Sequence, residues 1–113
     1  MATVNPVAKP HVDAQEVLWE NVSTSDTITE HRPKSVQGVA GCLQATGTWG
    51  GGTLRLKISN DGTTWFNASD IFGNTIGLTV DGMVEFTTAA MFMKPVMESG
   101  ASDYVDCVVL LRG

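Results

Sequence analysis

Charge is scarce in this chain and carries no basic cluster. Charged residues make up 17% of the 113 positions, and the formal net charge is −5. The basic residues Lys9, Arg32, Lys34, Arg55, Lys57, Lys94 and Arg112 are scattered. Proteins that neutralise nucleic-acid phosphates concentrate Lys and Arg, so no nucleic-acid partner is expected. Cysteine is nearly missing. Cys42 and Cys107 form no CxxC pair, and the two histidines, His11 and His31, fall in an apparent arm and a loop. A zinc site takes about four such ligands; no metal and no cofactor is expected. Both cysteines sit in apolar runs, VAGCLQA and YVDCVVLL, and read as small hydrophobes rather than a disulfide.

Long apolar runs are also lacking. None approaches the ~18 residues of a membrane span, so no membrane partner is expected. The opening MATVNPVAKPHVDAQ has no apolar h-region and no cleavage site, so synthesis in a cytosol is expected. On that footing the acceptor patterns Asn21-Val22-Ser23 and Asn67-Ala68-Ser69 read as chance. No stretch keeps a helical period long enough for a helix.

What the chain does have is strand texture. Leu54, Leu56 and Ile58 alternate with Thr53, Arg55, Lys57 and Ser59, which is the period of a half-buried strand. Asn60-Asp61-Gly62 then predicts a hairpin leading into Trp65-Phe66. A first strand is expected at Val17 to Val22 and a short one at Thr27 to Thr29. Ser35 to Thr48 reads as a strand interrupted by Gly38 and Gly41, with a bulge or close backbone packing. A second hairpin is predicted around Asp81-Gly82, joining Ile76–Val80 to Met83–Thr87. Pro95 confines Met91 to Met97 to a sheet edge or a bulge. Tyr104 to Leu111 is the final strand. It is apolar on both faces from Cys107 onward, which implies a central strand or one covered by another subunit.

These elements predict one all-β domain at 16–113, an antiparallel β-sandwich of jelly-roll-like or immunoglobulin-like order. A chain this long buries roughly 65% of its unfolded surface, enough for one modest core. Residues 1–15 carry Pro6 and Pro10 without an apolar period and read as an extended arm, either disordered or laid on a neighbouring subunit.

No catalytic group is expected. Asp103 and Asp106, three apart on a strand, point to opposite faces. Asp61 and Asp81 belong to turns, and Asp70 caps a loop. Gly50-Gly51-Gly52 lacks the Lys-Ser/Thr and the following helix of a phosphate loop, and reads as a flexible corner. Trp19, Trp49 and Trp65 suit core or interface anchors better than a sugar platform. Met91, Met93 and Met97 share a strand face and suit a soft contact surface or core filling. The candidate interface residues are therefore Val4, Pro6, Val7 and Pro10 in the arm, with Trp49, Trp65, Met91 and Met93.

The series G-T-W-G-G-G-T-L-x-L-x-x-S-N-D-G-T-T-W, the F-G-N turn, the V-D-G hairpin, F-M-K-P and S-G-A-S-D-Y-V-D-C-V-V-L-L-R resemble small virion proteins of tailed bacteriophages, of the head decoration or cement type. The resemblance runs from about Val36 to Arg112. It implies a β-sandwich subunit that forms homotrimers on the outer capsid surface, at threefold or quasi-threefold positions, and clamps the major capsid protein. Trp49, Gly51, Trp65, Lys94 and Pro95 match that pattern without a catalytic role. A tail or fibre module that binds host surface glycans is the alternative the pattern allows.

Overall fold

Alternation in the sequence becomes alternation of burial. In β6 (Thr53–Ser59), Leu54 and Leu56 are fully buried while Thr53, Arg55 and Lys57 stay half-exposed; the alternation breaks at the strand's end, where Ile58 is half-buried and Ser59, expected to point outward, is buried. The computed structural model describes residues 2–33 and 38–112 and, among them, ten strands and no helix. The others are β1 (Thr3–Val4), β2 (Val7–Pro10), β3 (Gln15–Val22), β4 (Thr27–Ile28), β5 (Val39–Thr48), β7 (Phe66–Asn67), β8 (Gly82–Thr88), β9 (Phe92–Glu98) and β10 (Tyr104–Arg112).

Two antiparallel sheets share one core. The larger has the order β2-β3-β10-β5-β8 and the smaller β7-β6-β9, while β1 and β4 form a short parallel pair beside them. This is the antiparallel sandwich expected from the periodicity, and its strand order is what periodicity left open. β10 takes the middle of the large sheet, between β3 and β5. Its odd residues Val105, Cys107, Val109 and Leu111 enter the core, and its even residues Val108 and Leu110 lie half-exposed on the outer face. Opposite them, Leu54 and Leu56 of β6 and Met93 and Met97 of β9 close the core from the small sheet. Trp19 is its largest side chain, fully buried, with Nε1 donating to the Thr29 carbonyl at 2.9 Å.

Several expectations change. In this single chain the arm lies along its own domain. Val7–Pro10 pairs antiparallel with Gln15–Leu18 of β3, and Thr27 N–H and Thr29 N–H donate to the carbonyls of Ala2 and Val4. Two strand donors on the domain's rim capture the segment, although its side chains in β2 are all exposed. The hairpin after β6 also forms differently. β7 contributes only Phe66 and Asn67, and residues 60–65 make a wide loop instead of a tight two-residue turn. The Asp61 carboxylate holds that loop, accepting from Thr63 N–H and Thr64 N–H at 2.8 Å each.

The second predicted hairpin is absent. Residues 76–80 lie beside β6, where Leu78 and Leu54 exchange backbone hydrogen bonds, and β8 pairs with β5 instead. Asp81-Gly82 therefore carries the chain from one sheet to the other. Residues 35–37 of the predicted 35–48 strand lie outside those described; from Val39 the strand is continuous, and Gly41 gives close packing beneath the ring of Phe86. The glycine corner is as expected, with Gly50 and Gly51 at φ of 54° and 79° where the chain leaves β5 for β6.

Pro95 falls on the edge strand β9. Met93 exchanges backbone hydrogen bonds with His31 on the side away from β6. Residues two apart direct their backbone groups to the same side, so the N–H that Pro95 lacks would have faced the open edge. Nothing in the β6 ladder is lost.

Candidate functional site

The candidate interface residues do not gather in one place. Tyr104 pairs with Thr48 and Val105 with Val22, so loops 23–26, 49–52 and 99–103 crowd one end of the sandwich. Ser59 pairs with Phe92 and Val39 with Thr88, which puts loops 60–65 and 89–91 at the other end. Trp49 is at the first end and Trp65 with Met91 at the second.

Each of the three has a local tie. Trp49 is half-buried and its Nε1 donates to Asp81 Oδ1 at 2.8 Å; Gly47 N–H donates to the same oxygen at 3.0 Å. Those two donors, the indole first, hold the Asp81 carboxyl below its usual range. The residue expected to shape its own turn instead pins a tryptophan across the loop end. Trp65 is half-buried with Lys94 Nζ 4.5 Å from its ring centroid, a cation–π contact. Met91 is 40% exposed and its N–H donates to Asn60 Oδ1. A cleft of about 360 Å³ opens at the Trp65 and Met91 end, lined by Ile58, Asp61, Thr64, Phe66 and Ala90.

Met93 is a correction. It is fully buried, opposite Ile58 in the β6–β9 ladder, and offers no surface to a partner. Met91, outside the strand, does not share its burial. In the arm, Val4 is half-buried and packs on the core, and Pro6 is half-buried; Val7 and Pro10 are exposed along β2.

The carboxylates serve the fold. Asp103 is buried and accepts from Thr24 N–H at 3.1 Å and Thr24 Oγ1 at 2.8 Å. Asp106 is exposed and accepts from Asn21 N–H at 2.9 Å, at the bulge where Asn21 adopts φ of 54°. Asp70 accepts from Phe72 N–H and Asn74 N–H, capping its loop as expected. Among the described residues, no three His, Cys, Asp or Glu side chains converge as a metal site would need. Both cysteines are free. Cys107 points inward and Cys42 lies on the outer face, since Cys42 pairs with Leu110 and Cys107 with Ala45. Burial pushes the Cys107 thiol up to about 12.

The two outer faces differ in chemistry, a property no single strand discloses. On the small sheet, Lys57 stands directly opposite Lys94, with Arg55 one step along. Glu98 meets Arg55 and Lys57 at 3.3 Å each; burial pushes its carboxyl up, but those two partners outweigh it and the net shift is downward. On the large sheet, a row of paired residues crosses all five strands: Val7, Leu18, Val108, Gln44 and Met83. The next row is Lys9, Glu16, Leu110, Cys42 and Glu85. Exposed Phe72 and Ile71 flank the β8 end of these rows. The one sequence signal for this surface is the two-sided apolar character of β10.

Comparison with family models, with curated proteins and with solved structures returns no match to this chain.

Proposed function

We propose that this chain is a non-enzymatic bacteriophage structural protein, a decoration or cement subunit that binds the outside of the capsid and stabilises it. The observation that carries this reading is a sandwich with two outer faces of unlike chemistry. One is basic, through Arg55, Lys57 and Lys94; the other is apolar at its centre, through Leu18, Val108 and Leu110. A protein that bridges neighbours needs separate surfaces for separate contacts. Several modest contacts made together then hold tightly, because each later one forms at high effective concentration. In this reading the subunits form a homotrimer at threefold or quasi-threefold positions, the partner is the major capsid protein, and binding to the assembled lattice stabilises it by linkage.

Mixing the purified protein with emptied, expanded heads tests the proposal. Co-sedimentation and a raised head-disruption temperature are expected, and electron microscopy of the particle should place the density on the head. No binding to heads, or density on the tail alone, ends it. A glycan-binding tail or fibre module has less support: one face of Trp65 carries Lys94, and the indole N–H of Trp49 is already committed to Asp81.

A further inference from the structure

We propose that the outer face of the large sheet is where copies of this chain meet one another, with the β2 edge of one copy seated against the β8 edge of the next. The inference rests on the self-association in the reading above and names the surface that performs it.

Two cross-strand rows on that face end in complementary side chains. The first row, apolar apart from exposed Gln44, begins at Val7 on edge strand β2 and ends at Met83 on edge strand β8. Both ends are open, at 52% and 63% exposure. The adjacent row begins at Lys9 and ends at Glu85, both exposed. The two edges of one sheet thus carry apolar against apolar on one level and opposite charges on the next. Within a copy these ends are separated by three strands and cannot meet.

Rotation about an axis parallel to the strands keeps every row at its own height. It brings the β2 edge of one copy to the β8 edge of its neighbour, with Val7 level with Met83 and Lys9 level with Glu85. The contact is head-to-tail, so successive copies close a ring when the rotation allows. The β8 edge is also shaped to receive it. A cleft of about 490 Å³ lies there, where Ile71 N–H donates to the Glu85 carbonyl; its lining is largely apolar, through Ile71, Phe72, Met83 and Val84, with the carboxylates of Asp70 and Glu85. Val7 and Lys9 supply the matching apolar side chain and ammonium group. Glu16 stands beside Lys9 in the β2–β3 register, but its carboxylate meets His11 Nε2 at 3.4 Å.

Charge exchange tests the contact. Sedimentation equilibrium should show the full chain associating, and Lys9→Glu or Glu85→Lys alone should weaken association by about tenfold or more, since like charges then face each other. The double variant Lys9→Glu/Glu85→Lys should recover most of the loss. Val7→Asp should also weaken association while leaving the melting temperature of the dilute protein unchanged, because Val7 is exposed within one copy. A wild-type protein that stays monomeric at high concentration overturns the proposal, as does a double variant no better than the singles. A trimer indifferent to these exchanges removes this contact and leaves the cement reading standing. Heads that ignore an intact, exchange-sensitive ring do the reverse.

Discussion

Beneath the ring of Phe86, Gly41 leaves a gap that the aromatic fills. A Cβ at that position would run into Cζ of Phe86 and stand 2.8 Å from Cε1. The ring covers the backbone that a side chain would otherwise shield, and strand pairing puts the two residues directly opposite. Gly41→Val should therefore cost about 1–3 kcal/mol through overpacking, read as a lower melting temperature with little change in secondary structure. Asp61 gives a pH signature. Backbone N–H groups of Thr64 and Thr63, then the Ser59 hydroxyl, pull its carboxyl from 3.8 to about 2. A depressed folded-state value means its contribution is complete above the unfolded value and is lost as pH falls toward the folded one. The melting temperature should drop between about pH 4 and about pH 2, and Asp61→Asn should flatten that part of the curve. The thiols should separate as well. In native protein Cys42, half-buried on the outer face, should alkylate first, and Cys107, fully buried, only on unfolding; equal rates would place Cys107 nearer solvent than the core.

For single elements, legibility followed how much of the signal is local. β6 and β10 were readable because alternation against a core is written along the strand itself. Pro95 was readable because a missing donor is tolerated only on an edge. The Asp81-Gly82 turn misled because such a dipeptide marks a reversal without naming the strand that receives the chain. Residues 76–80 pair by one bridge with Leu54, too little to impose a period of two. β2 was invisible for a related reason: its four side chains are exposed, so pairing through the backbone leaves no pattern. The outer-face rows were half legible, since β10 betrays its apolar even positions but register with β8 and β2 is set by distant partners. β2 also yields a prediction. A chain starting at Gln15 should still fold, because the buried core begins at Val17, but with a lower melting temperature from the lost β2 pairing and the lost contact of Val4. Its self-association should vanish, and an unaltered mass in solution would contradict that.

At the scale of the whole molecule, the proposed contact would link stability to assembly. If copies meet through the large sheet, the melting temperature should rise with protein concentration, because association favours the folded state by mass action. Lys9→Glu should lose that dependence, and should bind heads more weakly through lost multivalency rather than through any change in the basic face. Measuring melting temperature across a wide dilution series checks the first point, and head binding by the variant checks the second. The placement of β10 has a consequence for synthesis. β3, β5 and β8 all leave the ribosome before it, yet β3 and β5 touch only through the strand still to come. The β3–β10 and β10–β5 ladders therefore both await β10, and long-range pairing of this kind is slow to form.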